Sequence, residues 1–187
     1  MGINLYRKLF HITSGLIIYA LSYKLPFFIL GLILVFLWIG LSFFEVFRLF
    51  FYKALPLKSL WVSLLKKEEF TRLNDAWYFL AGLILSWAIL DLRSFQVIVL
   101  ILTIADPSAS IAGNLIGRKK LKNNKTLEGT LAFFITSLLI TYFYTGFFCF
   151  SMLLFCLFLS LTEFFTKRDN FWIPVAGSLY LKLLSFI

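Results

Sequence analysis

Residues 26–44 read Pro-Phe-Phe-Ile-Leu-Gly-Leu-Ile-Leu-Val-Phe-Leu-Trp-Ile-Gly-Leu-Ser-Phe-Phe, without one charged side chain. A helix needs about 20 mainly apolar residues to cross the hydrocarbon of a bilayer, and this run meets that requirement almost alone. The rest of the chain is written in the same style. Of 187 residues, 61% are hydrophobic, 24 are Phe, and only 14% are charged. A soluble domain of this size could not bury so much apolar surface, because small folds leave a large share of it exposed. Lipid is the solvent that suits the composition.

Outward from this stretch, further apolar runs fall at 9–24, 74–91, 94–105, 130–146, 147–164 and 171–187. Together they predict an all-α, polytopic membrane bundle of about seven transmembrane helices in one domain, 1–187. Tight connections are expected at Leu25-Pro26, Asp91-Leu92-Arg93 and Tyr144-Thr145-Gly146. The longest link, 46–73, sets Leu60, Trp61, Leu64 and Leu65 at helical spacing beside Lys58, Lys66 and Lys67. That pattern fits a short interfacial helix between spans two and three.

The net charge of +9 does not point to nucleic acid, because the basic residues stand in short clusters between apolar runs. With the N-terminus inside, 15 of the 18 Lys and Arg residues fall in inner segments, leaving only Lys24, Arg93 and Lys182 outside. Such a bias orients the chain N-inside, C-outside. Cys149 and Cys156 lie in apolar sequence and read as inert small residues rather than as a disulfide or metal pair.

Ionisable groups near lipid are costly, so their placement carries information. Of nine acidic residues, eight (Glu45, Glu68, Glu69, Asp75, Asp106, Glu128, Glu163 and Asp169) fall at inner ends of spans or in inner loops, as does the single histidine, His11. The densest stretch runs from Asp106-Pro-Ser-Ala through Gly113, Asn114, Gly117 and Arg118-Lys119-Lys120 to Lys125-Thr-Leu-Glu128-Gly129. Carboxylates can hold a divalent cation on phosphate oxygens, lysines neutralise the same oxygens, and small residues let a backbone approach closely. No Gly-x-x-x-x-Gly-Lys-Ser/Thr loop is present. Structural readings stand beside these. Asp106 before Pro107 can cap a new helix, Gly113-x-x-x-Gly117 can be a packing motif, the lysines can set topology, and Glu128 can face a helix dipole.

The order of these pieces resembles the polyprenol kinase family, which comprises dolichol kinases, phytol kinases and CTP-dependent diacylglycerol kinases. Asp106-Pro-Ser-Ala109, Gly113, Gly117 and Lys125-Thr126-Leu127-Glu128-Gly129 carry the likeness. So do Arg7-Lys8-Leu-Phe-His11, the stretch from Glu69 to Tyr78-Phe-Leu-Ala-Gly82, Glu163, and Asp169-Asn170-Phe-Trp-Ile-Pro174. The resemblance implies transfer of a phosphoryl group from a nucleoside triphosphate, commonly CTP as co-substrate, to the hydroxyl of a lipid alcohol, with Mg2+ or a similar cation. Asp106, with Glu128 or Asp169, would bind that metal. Lys125, Lys119, Lys120, Thr126, Gly113, Gly117, Gly129, Asn114 and Asn170 would meet nucleotide or phosphate. His11 would touch the acceptor hydroxyl or a phosphate, or be an internally bonded structural residue. Arg7, Lys8, Glu45, Arg48, Glu69 and Glu163 are further candidates, several of them equally suited to ion pairs.

The nearest rival is a phosphatidate cytidylyltransferase, whose Asp-x-x-Ala and Lys-Thr-x-Glu-Gly elements it shares. Asn123-Asn124 stand here near the place of that family's Ser-Pro. A small transporter fits less well, because no internal repeat is visible. The compact chain, with no retention signal, points to a prokaryotic plasma membrane with the site on its cytoplasmic side.

Overall fold

The computed structural model describes residues 5–52, 61–63, 65–118 and 125–184, and among these it is all-helical. Among the described residues, seven long α-helices carry the fold. They are α1 (Leu5–Lys24), α2 (Phe27–Phe50), α3 (Asp75–Ile89), α4 (Leu92–Leu115), α5 (Leu127–Thr145), α6 (Phe150–Phe165) and α7 (Asp169–Leu184). A 3₁₀ turn at Lys67–Phe70 lies in the link between α2 and α3. Of the expected interfacial helix, Lys58, Leu60 and Leu64 lie outside the described residues.

Three helices, α2, α4 and α5, are long and apolar enough to cross a membrane, and α3 and α6 are shorter apolar helices. The outer surface agrees with a membrane protein. Phe36 and Phe143 are 76% and 78% exposed, amid a broad field of exposed Leu, Ile and Phe. Water-soluble monomers rarely show apolar patches on that scale.

Helix α4 is the buried centre. Phe95, Val97, Ile98, Val99, Ile101, Leu102 and Ala105 are all fully enclosed. Around it α3 packs on α7, α5 on α6, and α6 on α7, while α2 leans on α3 and only lightly on α1. Lipid gives little hydrophobic drive for helices to associate, so close packing at small residues carries much of it. At Gly82 an added Cβ would stand 2.6 Å from Pro174 Cγ, so any side chain there would push α3 off α7.

The sequence predicts that a span ends at Asp106 and a new helix opens at Pro107. Instead the helix runs through, with a π turn at Ile101–Ala105 and Pro107 buried inside the continuous α4. Proline lacks an N–H and its ring crowds the preceding turn. A wider turn just before it relieves that crowding. In the i→i+5 register of the π turn, the amide due to the Leu102 carbonyl falls at Pro107, which has none. His11 Nε2 donates to that carbonyl instead, at 2.9 Å.

Candidate functional site

The alternating helices bring the start of α1, α3, α5 and α7 and the end of α2, α4 and α6 to one face. A cavity of about 1280 Å³ opens there. Its polar end is lined by Lys8 and His11 of α1, Asp106 of α4, Lys125 before α5, Glu163 of α6 and Asp169 of α7. Its remainder is apolar and extends between α1 and α2, past Ile18 and Leu21 on one side and Leu30, Leu34 and Leu41 on the other.

Asp106, Glu163 and Asp169 each place a carboxylate oxygen within 4.8 Å of the others. Asp169 is the first residue of α7, and one of its oxygens accepts the Asn170 amide at 3.0 Å. Glu163 accepts the Thr130 hydroxyl at 3.2 Å. Lys125 ties the group together, pairing with Glu163 and, at 2.6 Å, with Asp169. Burial alone disfavours its charged form. The carboxylates of Asp169, Asp106 and Glu163 outweigh that and hold the ammonium above its ordinary range. Three carboxylates facing one such lysine need more positive charge than it brings, since like charges at this separation are mutually destabilising. An all-oxygen set of this kind suits a hard divalent cation. Asp106 is the open member, because no hydrogen bond from a described residue ends on its carboxylate.

Glu128, expected as a second metal ligand, stands apart. Its carboxylate accepts the Arg118 amide at 3.2 Å, and it does not line the cavity. Thr130 faces Glu163, and stepping back two residues turns a helical side chain by about 200°. Glu163, one of the secondary candidates by sequence, occupies the third position instead. No family model, curated protein or solved structure matches the chain.

Gly113, Gly129 and Thr126 form a helix seam that borders the cavity. Thr126 caps α5, its hydroxyl accepting the Gly129 amide at 3.1 Å. A Cβ on Gly129 would meet the Ala109 carbonyl oxygen at 2.8 Å, and one on Gly113 would meet Thr126 Oγ1 at the same distance. Their smallness brings α4 and α5 together and so sets Asp106 beside Lys125. Gly117 sits outside the cavity lining, packed near Thr126. Asn114 lines the rim, its amide nitrogen donating to the Ser110 carbonyl at 2.6 Å. Asn170 lines the cavity with its Oδ1 buried and unbonded. Lys119 and Lys120 lie outside the described residues. His11 also lines the cavity, but its Nε2 is committed to Leu102 and its ring packs edge-on against Phe79, with centroids 4.9 Å apart.

Glu45, Arg48 and Glu69 form a separate clamp. Arg48 donates to both Glu45 oxygens at 2.8 and 2.6 Å, and to the carbonyls of Glu69 and Arg72, each at 2.7 Å. Glu45 also accepts the Asn74 amide at 2.9 Å, and Glu69 accepts those of Lys66 and Asp75 at 2.7 and 3.0 Å. This cluster fastens the 66–75 link to the end of α2. Arg7 reaches Asp75 at 3.6 Å, and Lys66 pairs with the same carboxylate.

Proposed function

We propose that the chain is a membrane lipid kinase that transfers a phosphoryl group from a nucleoside triphosphate, CTP by the motif resemblance, to the hydroxyl of a lipid alcohol. In this reading all seven helices span the bilayer, N-inside, and the polar face is cytoplasmic, where soluble nucleotide and lipid hydroxyl can meet. The observation that carries it is the joining of two chemistries in one cavity: three carboxylates and Lys125 at its mouth, and an apolar groove for the rest.

The reaction forms a bond between the lipid oxygen and the terminal phosphorus, breaks the bond from that phosphorus to the bridging oxygen, and releases nucleoside diphosphate. The hydroxyl proton passes to a cavity carboxylate. Such transfers depend chiefly on positioning and on neutralising phosphate charge. Asp106, Glu163 and Asp169 are the residues that would hold Mg2+, which when bound supplies that neutralisation. Lys125 fixes Glu163 and Asp169 in place and adds its own charge. Thr130 orients Glu163, and the α4–α5 seam holds Asp106 in register. His11 acts as a support: its bond to Leu102 steadies the π turn that precedes Asp106.

The test is to incubate purified protein with Mg2+, CTP or ATP, and diacylglycerol, dolichol-like or phytol-like alcohols. Nucleoside diphosphate and a lipid monophosphate are the expected products. Pyrophosphate and a CDP-lipid formed from phosphatidate would replace this reading with the cytidylyltransferase. No nucleotide consumption with any pair would overturn it.

A further inference from the structure

Lys8 has no task in the transfer as drawn. Its side chain is only 8% exposed, and Nζ is buried without a hydrogen-bond partner. It feels the attraction of Asp106 and the repulsion of Arg7, yet no described carboxylate is within ion-pair distance. A desolvated ammonium left unpaired is costly, so a lysine held in this way points to something that binds it. Lys8 lines the cavity, and so does Asn170, whose Oδ1 is also buried and unbonded. Two unmet buried groups at one end of a cavity indicate a polar ligand there.

The class of ligand follows from the helix that carries Lys8. The α1 residues lining the cavity include Lys8, His11, Ser14, Ile18 and Leu21, which recur at the spacing of a single helix face. Lys8 therefore heads a surface that turns apolar and runs about 20 Å to Leu21 at the helical rise. Leu30 and Leu34 of α2 form its opposite wall. An anion resting on Lys8 thus has an apolar groove behind it. A nucleotide would place its polar base and ribose in that groove, whereas a long hydrocarbon chain matches it.

We propose that Lys8 binds the phosphate of a long-chain lipid monophosphate whose chain lies in the groove between α1 and α2. The inference rests on the kinase reading in that such a lipid is that reaction's product, but the site itself is a binding site and needs no turnover. It makes Lys8 the residue that separates phosphorylated from unphosphorylated lipid.

Native mass spectrometry of the full chain, released from a neutral detergent without nucleotide, tests this. The probes are hexadecyl phosphate, hexadecanol, inorganic phosphate and CTP. Hexadecyl phosphate should bind, and Lys8→Met should weaken it at least tenfold, the scale of one lost charge-assisted contact. Hexadecanol binding should change less than twofold, and Lys8→Arg should retain most of the phosphate preference. Should Lys8→Met not fold, competition on the unaltered protein still decides: inorganic phosphate must displace hexadecyl phosphate poorly, because the chain contributes to binding. The proposal fails if Lys8→Met binds hexadecyl phosphate normally, if it loses CTP to the same degree, or if free phosphate competes equally. Failure of the kinase reading looks different, since it is absence of nucleotide turnover with these binding results intact.

Discussion

At the Glu45–Arg48–Glu69 clamp, each of the three Arg48 nitrogens donates a hydrogen bond, and both Glu45 oxygens accept one. At the Asp106–Glu163–Asp169 site, on the same face of the bundle, Glu163 and Asp169 share Lys125, Asp106 keeps an open carboxylate, and Lys8 Nζ and Asn170 Oδ1 are buried without partners. Both clusters sit where charge is expensive, and they meet that cost differently. The clamp is self-sufficient, so its use is to hold the 66–75 link to α2. The carboxylate site is incomplete by itself, and an incomplete buried site is where ligand chemistry belongs. Charge near the membrane is therefore a poor guide to function on its own; what distinguishes the two is whether the protein has already satisfied it.

Breaking the clamp should give the largest effect. Arg48→Met strands Glu45 in a buried position and is expected to cost about 3–5 kcal/mol of stability. Thermal unfolding in detergent should show it, with much of the loss restored by adding Glu45→Gln. If the single and double variants unfold alike, the pair is not the unit described here. Asp106→Asn probes the other cluster and should reverse the pattern. Removing one of three crowded carboxylates should leave the metal-free protein as stable or more so. Activity should fall about 10²–10³-fold, as when a transition-state contact is lost, and stabilisation by added Mg2+ should shrink. Full activity in a folded Asp106→Asn protein would remove Asp106 from the chemistry.

Much of this contrast could be read from the residues in order. The uncharged run from Phe27 to Phe44 lies within α2, and of the ionisable residues that the sequence gathers at helix ends, Asp106, Lys125 and Asp169 line one cavity. The direction in which each side chain points was harder to read. In a soluble helix the apolar stripe marks the inner face. In lipid the outer face is apolar too, so the stripe vanishes and Glu128 cannot be told from Glu163 by pattern. Spacing from Lys125 gives no better clue, because Lys125 precedes the helix and Thr130 lies two residues, about 200°, beyond Glu128. The through-running helix at Pro107 was concealed in another way, because proline usually ends a helix and the π turn that accommodates it leaves no mark in composition. The burial of Lys8 depended on α1 crossing α4 at that turn, a tertiary fact that no local window contains.

The smallest predicted effect sharpens the clamp from within. Burial, and then the neighbouring Asp75 carboxylate, push the Glu69 carboxyl above the ordinary range, against the opposing pull of the Lys66 amide. The native state therefore holds the Glu69 proton more tightly than the unfolded chain does. By linkage, its contribution to stability is fully present below the ordinary glutamate value and declines as pH rises from there through the raised one. Melting temperature measured between about pH 4 and 8, a range bracketing the ordinary value near 4.3, should fall more steeply for the unaltered protein than for Glu69→Gln. Asp75→Asn should remove part of the same slope by removing the repulsion, although it also releases Arg7 and Lys66. Parallel curves for the unaltered protein and Glu69→Gln would mean that Glu69 titrates alike in the folded and unfolded states. The clamp would then be as indifferent to pH as a fully paired cluster can be, which would make its difference from the carboxylate site larger.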